Sequence, residues 1–176
     1  MIRVSAEVTG LNPRIVEDVQ NAIISTLDRV SATAQEVAIG AAPKDTGLLQ
    51  NSIGIIRRYS PPIYVGGIAT NVGYATVMEL GRKPGKFPPF LPIARWVIRN
   101  KAKFSSAIKK FGGGKKGTAS LIFLIRRGIA RRGIPSNPRF DSRGFFKKAE
   151  KAITKAFPKE IQALGLRIQT AWESGG

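Results

Sequence analysis

The chain has 176 residues, with 29 Lys and Arg against 11 Asp and Glu, and it contains neither His nor Cys, so its formal net charge is +18. Without Cys there is no disulfide framework or thiolate nucleophile, and without His there is no Ser-His-Asp triad or His-ligated metal. A hydrophobic content of 43% is typical of a globular chain rather than of a disordered basic tail. A chain of this length predicts a single domain over residues 1–176.

The excess positive charge lies in the middle of the chain. Residues 1–80 hold 6 basic and 7 acidic side chains, residues 81–148 hold 19 basic and one acidic, and residues 149–176 hold 4 basic and 3 acidic. Solvated helix faces explain scattered charges, but a block this uneven favours a polyanion or an acidic protein surface as partner. The candidate interface residues are Lys109, Lys110, Lys115, Lys116, Arg126, Arg127, Arg131 and Arg132.

The amino-terminal part predicts a strand followed by one long helix. Apolar residues alternate with polar ones over residues 2–9, which indicates a half-buried strand. Asn12 and Pro13 are typical of a helix start, and the helix is predicted over residues 12–41. Its apolar stripe consists of Ile15, Val19, Ile23, Leu27, Val30, Ala34, Val37 and Ala41. A helix of roughly 43 Å is longer than a compact domain of this size is wide, so part of the stripe is predicted to pack on another subunit.

Residues 46–81 predict a β-hairpin region. A turn through Gly47 precedes two β-rich runs, residues 52–59 and 63–70, which are separated by a Ser-Pro-Pro segment. The pair Gly66-Gly67 indicates either a bulge or a close backbone contact. Tyr74 to Leu80 is predicted to form a short helical or extended segment that ends at Gly81.

Residues 82–148 predict a basic helical region. One helix opens near Pro92, a mobile Gly- and Lys-rich loop follows at about residues 105–118, and another helix runs from Thr118 to about Arg132. A C-terminal helix is predicted over residues 149–176, within an amphipathic stretch that starts at Phe145 and contains Pro158 as a point where it could divide. The elements add up to the α+β class, with a small antiparallel sheet packed with a long N-terminal helix and several C-terminal helices.

The sequence predicts no catalytic, cofactor-binding or metal-binding residues. The segment from Gly112 to Thr118 lacks P-loop spacing, because Thr118 stands where that motif requires Lys. Glu79, with Arg82 and Lys83 nearby, is predicted to form a local ion pair rather than to act as a general base. The chain is therefore predicted not to be an enzyme and to need no cofactor. No apolar run approaches the roughly 20 residues that cross a bilayer, so no membrane contact is expected.

Aromatic side chains are the remaining candidates for nucleic-acid contacts. Tyr59, Tyr64, Tyr74, Trp96 and Phe104 could stack on unpaired bases. Because the predicted strands carry no RNA-binding aromatic motif and two of the tyrosines flank a turn, we expect these rings to pack within the protein instead.

Two motifs resemble those of a known protein family. Residues 42–53 read APKDTGLLQNSI and resemble the pattern AP-x-DTG-x-L-x-x-SI, and residues 73–81 read GYATVMELG and resemble YA-x-x-x-E-x-G. Their order and separation resemble the neck or tail-completion proteins of long-tailed double-stranded DNA bacteriophages, also called minor tail components. The motif residues are Pro43, Asp45, Thr46, Gly47, Ser52, Tyr74, Ala75, Glu79 and Gly81.

The resemblance implies a non-enzymatic virion protein at the head–tail junction, made in the host cytoplasm. It implies a homo-oligomeric ring around the DNA conduit that contacts portal or connector, terminator and tail-tube proteins. Non-specific contact with genomic DNA is compatible with the charge. The motif residues are expected to define the fold first and to serve as interface candidates second. The main alternative is a sequence-independent basic nucleic-acid-binding protein.

Overall fold

A computed structural model describes residues 2–5, 13–60, 63–134 and 144–174. The chain divides into two compact units, one formed by Met1–Glu79 with Pro138–Gly176 and the other by Leu80–Asn137. This differs from the predicted single domain over residues 1–176. The reason is that the middle segment builds a separate apolar core instead of extending the core of the first unit. We call Leu80–Asn137 the basic unit and the remainder the helix–sheet unit.

The α+β class is confirmed. Among the described residues, the strands are β1 (Ile2–Ser5), β2 (Gly54–Ser60) and β3 (Ile63–Ala69). The helices are α1 (Pro13–Ala41), α2 (Leu48–Ser52), α3 (Ala75–Leu80), α4 (Phe90–Arg99), α5 (Ser105–Lys110), α6 (Gly114–Arg132) and α7 (Phe145–Ser174). Parts of five predictions lie outside the described residues, namely strand residues 6–9, the helix start at Asn12, the Pro61-Pro62 turn, residues 135–143 of the basic region and the last two residues of the C-terminal helix.

The helix–sheet unit is organised by the pairing of α1 with α7. Phe145 and Ala149, near the start of α7, cluster with Ala34 and Ala38 in the last third of α1. Leu164, farther along α7, clusters instead with Ile15 and its neighbours near the start of α1. The two helices are therefore antiparallel, and their lengths of 29 and 30 residues match. The inference that the stripe of α1 needs another subunit is wrong, because α7 covers it within the same chain.

The buried stripe of α1 departs from the predicted one at its carboxyl-terminal end. Ala38 and Ala42 are buried there, whereas Val37 and Ala41 are only half-buried. Steps of four residues from Ala34 keep the stripe facing α7 and α2, since residues four apart lie on the same helix face.

α7 begins at Phe145, four residues before the predicted start, and passes through Pro158 without interruption. Its amino terminus is capped by Glu79, whose carboxylate accepts the backbone N–H groups of Phe146 at 3.1 Å and Lys147 at 3.0 Å. These donors have no partner within the helix, and the negative charge also complements the helix dipole. The predicted ion pair between Glu79 and Arg82 or Lys83 is thus corrected to a helix cap.

The sheet has the order β1-β3-β2, and both pairings are antiparallel. β2 and β3 form the predicted hairpin, with Tyr59 opposite Tyr64, but residues 48–52 form helix α2 ahead of it. The register runs through Gly66 and Gly67 without a bulge. Gly66 instead makes the close contact: a Cβ atom there would lie 2.8 Å from Ser31 Oγ and 3.3 Å from Leu27 Cβ. The sheet therefore packs directly on α1 at this glycine.

Two polar groups join the elements of this unit at its surface. Asp28 Oδ1 on α1 accepts hydrogen bonds from Arg57 Nε at 2.6 Å and Tyr59 Oη at 2.7 Å on β2. Burial alone would raise the pKa of the Asp28 carboxyl, but these hydrogen bonds and the charge of Arg57 hold it below its ordinary value. Arg29 on α1 pairs with Glu160 on α7 at 3.1 Å. These contacts fix the position of α1 relative to β2 and α7.

We predict that removing the cap of α7 destabilises the helix–sheet unit. Glu79→Ala should lower the free energy of unfolding by about 1–2 kcal/mol, the usual cost of losing a capping group. Glu79→Gln, which keeps an acceptor but not the charge, should cost about half as much. Urea denaturation measures both, with Glu150→Ala, an exposed carboxylate on the same helix, as the control. Equal stability of the Glu79→Ala and Glu150→Ala variants would show that the cap contributes nothing.

We predict that the adjacent glycines of β3 respond oppositely to alanine. Gly66→Ala should cost about 1–3 kcal/mol, because its methyl group overlaps buried Ser31. Gly67→Ala should be neutral or stabilising, since its nearest neighbour is the Ile56 side chain at 3.7 Å. The double variant Ser31→Ala with Gly66→Ala should recover part of the loss. The packing described here is contradicted if both single variants unfold at the same urea concentration.

Candidate partner-binding surface of the basic unit

The basic unit is built around a small apolar core. α4, α5 and α6 contribute the buried side chains Ala94, Val97, Ile108, Leu121 and Ile122. α5 and α6 pack closely at Gly117, where a Cβ atom would overlap the backbone of Ile108. The apolar stripes of α4 and α6 supply this core, and the basic side chains of the two helices are exposed except for that of Arg126, which is half-buried.

Every ionisable side chain of this unit is basic. Leu80–Asn137 contains 15 Lys and Arg and no Asp or Glu, whereas the helix–sheet unit contains 14 basic and 11 acidic side chains. The basic unit therefore supplies no carboxylate to any of its cations. Such a charge distribution produces a positive potential of several kT at the surface and attracts anionic partners.

The structure separates the predicted interface residues into two groups. Lys109 and Lys110 end α5 while Lys115 and Lys116 begin α6, so these four lysines lie together. Arg131 and Arg132 end α6, roughly 24 Å from Lys115 at 1.5 Å per residue. All of these side chains, and that of Arg127, are exposed.

The predicted mobile loop at about 105–118 is corrected to two helices joined by a tight turn. α5 and α6 leave only residues 111–113 between them. Gly112, Gly113 and Gly114 have positive φ angles of 100°, 68° and 49°, a conformation that glycine adopts at little cost. The loop is shorter than predicted because the lysines that flank the glycines belong to α5 and α6.

The helix dipoles distinguish Lys115 and Lys116 from the candidate residues at the helix ends. Lys109, Lys110, Arg131 and Arg132 lie in last turns, where a cation stabilises a helix. Lys115 and Lys116 lie in the first turn of α6, where a cation is unfavourable, and no acid accompanies them. Folding accounts for the position of the arginines at the end of α6, but it does not account for this lysine pair.

Arg126 differs from the other candidate arginines because its side chain is used inside the unit. Its Nε donates to the carbonyl oxygen of Pro88 at 3.0 Å, and its guanidinium carbon lies 5.3 Å from the Phe87 ring centre and 5.5 Å from that of Phe90. Such cation–π contacts stabilise both partners. Arg126, one of the predicted interface candidates, therefore also has a role inside the unit, where it holds the segment before α4 against α6.

Around Arg126 lies a group of exposed rings that the sequence analysis missed. Phe87, Phe90 and Phe123 are 47%, 51% and 51% exposed. The rings of Phe87 and Phe123 stack with centres 6.2 Å apart. We call these three residues the phenylalanine cluster. The spacing of Phe123 and Arg126 on one helix face could have indicated part of it, but the contact with Phe87 depends on the tertiary structure.

Backbone hydrogen bonds hold the segment that contains Phe87 against the carboxyl-terminal part of α6 and the residues that follow it. Arg82 and Ile134 exchange backbone hydrogen bonds at 2.8 and 2.7 Å, and the N–H of Gly85 donates to the carbonyl oxygen of Ala130 at 2.8 Å. Gly133 allows this approach, because a Cβ atom there would overlap the backbone of Arg82. The phenylalanine cluster is thus displayed on a fixed backbone.

The aromatic residues considered in the sequence analysis are used differently. Tyr64 is buried, and the hydroxyl of Tyr59 donates a hydrogen bond to Asp28. Trp96 and Phe104 pack edge to face with ring centres 5.0 Å apart. These contacts agree with packing. Tyr74 is 45% exposed and lies in the helix–sheet unit.

The residues of the family-like motifs mainly shape the backbone, and all of them except Gly81 belong to the helix–sheet unit. Gly47, with a φ of 79°, precedes α2, and Gly81, with a φ of 78°, follows α3. Ser52 Oγ lies 2.6 Å from Thr70 Oγ1, and Ala75 is buried. Together with the cap by Glu79, these positions have structural roles. The motif residues left at the surface or only partly buried are Pro43, Asp45, Thr46 and Tyr74.

Comparisons with protein-family models, curated proteins and solved structures give no match to this chain. Across residues 2–5, 13–60, 63–134 and 144–174, no three His, Cys, Asp or Glu side chains are grouped so as to hold a metal ion. None of the helices in that part of the chain is long and apolar enough to span a bilayer.

We predict that charge reversal at the two ends of α6 has different effects on stability. Lys115→Glu with Lys116→Glu places acids in the first turn, where each should stabilise the helix by about 0.3–1 kcal/mol. Arg131→Glu with Arg132→Glu places acids in the last turn, where each should destabilise it by a similar amount. Both pairs change the net charge equally, so the lysine variant should be the more stable in urea denaturation at low salt. The difference should shrink at about 0.5 M salt. Identical midpoints at low salt would contradict the dipole argument.

Proposed function

We propose that this chain is a non-enzymatic structural protein of a bacteriophage virion, placed at the head–tail junction. In this role several copies surround the DNA conduit and join connector or terminator proteins to tail proteins. The observation that carries the proposal is the basic unit, which has its own core, 15 cations without a carboxylate, and exposed phenylalanines. A surface of this kind suits an assembly protein, because its positive charge has no acidic counterpart in the unit and would be neutralised by an anionic partner.

The motifs support the proposal through the fold. Gly47 lies in the turn before α2, Ser52 ends α2 within hydrogen-bond distance of Thr70, and Glu79 caps α7, as expected if the resemblance reflects a shared backbone arrangement. The length of α1 no longer argues for a subunit contact, since α7 covers its stripe. The ring therefore rests on the resemblance and on the basic surface. In a ring, each copy would add its positive charge to a continuous band that faces an acidic neighbour or the DNA.

The alternative is a sequence-independent nucleic-acid-binding protein. The complete lack of acids in the basic unit favours it, because phosphate contacts need only positive charge. Duplex DNA would then bind with a logarithmic affinity that falls steeply with the logarithm of the salt concentration. A slope near zero would exclude this alternative, and the junction role requires no such slope.

We predict that reversing the lysine pair of α6 blocks the joining of heads to tails. A phage lacking this gene is complemented with the chain carrying Lys115→Glu and Lys116→Glu. Joined particles, counted by electron microscopy, should fall at least about tenfold, since like charges then face an acidic partner. The helix dipole makes this variant at least as stable as the wild type, so unfolding cannot explain the loss.

The matched control is Lys151→Glu with Lys155→Glu, two exposed cations of the helix–sheet unit. It should leave joining within about twofold of the wild type. The variant Arg127→Glu with Arg131→Glu and Arg132→Glu extends the test to the other end of α6. Normal joining with both α6 variants would overturn the proposal that the basic unit binds a junction partner.

A further inference from the structure

We infer that the phenylalanine cluster is the anchor of a protein–protein contact, and that its partner is a protein surface with an apolar recess bordered by carboxylates. This inference rests on the proposed function, because it specifies the chemistry of the partner that the basic unit binds.

The first support is the exposure of the rings. Phe87, Phe90 and Phe123 are each about half-exposed and lie together around Arg126. Contiguous apolar side chains at a surface mark an interaction site more often than isolated ones do. Aromatic residues are also enriched among the anchors of protein interfaces, where they fill recesses on the partner.

The second support is the fixed position of the rings. Four hydrogen bonds hold the segment before α4 against α6 and the residues that follow it. They join Arg126 Nε to the Pro88 carbonyl, the backbones of Arg82 and Ile134 in both directions, and the Gly85 N–H to the Ala130 carbonyl. A surface that is already ordered loses little conformational entropy when a partner binds. The cluster is therefore organised for docking before any partner is present.

The third support separates a protein partner from unpaired bases. Leu91 is 61% exposed and follows Phe90 in sequence, and Leu124 is 39% exposed and follows Phe123. Aliphatic side chains have no ring face on which a base can stack, whereas they can fill an apolar recess. Exposed leucines next in sequence to two of the three rings therefore favour a protein over unpaired bases as the partner.

The fourth support is charge, which restricts the kind of protein. The exposed cations Lys86 and Arg127 each lie next in sequence to a residue of this site, and the whole unit has no carboxylate. Carboxylates on the partner would neutralise this border. Two copies meeting through the same surface would oppose like charges, so the occupant is a different, acidic surface.

The test uses the purified full chain and three labelled probes in fluorescence anisotropy. The first is a synthetic helical peptide with Leu on one face and Glu on its flanks, the second has the same composition in scrambled order, and the third is an oligothymidine strand. The wild type should bind the amphipathic peptide at least about tenfold more tightly than the scrambled one, because only the ordered peptide presents an apolar face with an acidic border. Equal affinity for the two peptides, or no binding of either, would overturn the inference.

The variants assign binding to the cluster. Phe90→Ser and Phe123→Ser should each weaken binding of the amphipathic peptide at least about fivefold, whereas Ile98→Ser, at a position 57% exposed in the same unit, should change it less than about twofold. Phe90→Leu should retain affinity within about threefold, because a recess accepts Leu and base stacking does not. If Phe90→Leu abolishes binding, or if the Ser variants lose the oligothymidine strand instead of the peptide, a nucleic-acid site replaces this one.

The two proposals can fail separately. Peptide binding is measured on the isolated chain, whereas head–tail joining is measured in particles. If peptide binding depends on the cluster but both α6 variants join heads to tails normally, this interface stands and the junction role is removed. If the α6 variants lose joining but peptide binding does not depend on the cluster, the junction role stands and this interface is removed.

Discussion

The antiparallel packing of α1 on α7 is the constraint on which the helix–sheet unit depends. The apolar stripe along α1 must be kept from water. α7 is nearly equal in length and covers this stripe from Ala34 and Ala38 at one end to Ile15 at the other. Three further contacts hold the elements of this unit together. Glu79 accepts hydrogen bonds at the amino terminus of α7, β3 approaches α1 closely at Gly66, and Arg29 meets Glu160 across the helix pair.

The basic unit solves a different physical problem, since 15 cations without an acid repel one another and yet must fold. It does so with a compact core of Ala94, Val97, Ile108, Leu121 and Ile122, and with glycines that allow close backbone approach. Arg126 is the one candidate interface arginine for which the structure gives a carbonyl and two rings as partners. Apolar packing and backbone hydrogen bonds therefore hold the unit together, and most of its basic side chains lie exposed at the surface.

The division of labour between the two units shapes the functional proposal. Most motif residues of the helix–sheet unit have roles in turns, in the core or in capping, so they account for how the chain folds rather than for what it binds. Two features that folding does not explain lie in the basic unit, namely the lysine pair in the first turn of α6 and the phenylalanine cluster. The proposal of a joining role therefore rests on the basic unit and not on the helix–sheet unit.

The sequence by itself determined the α+β class, the long amino-terminal helix, the β2–β3 hairpin and the confinement of charge to the middle of the chain, because periodicity and composition are local properties. Only the tertiary structure decided that α7 covers the α1 stripe, that Glu79 caps a helix 66 positions away in sequence, and that Phe87 and Phe123 meet around Arg126. Each of these joins segments distant in the chain, and a pattern within one segment carries no record of which other segment will pack against it.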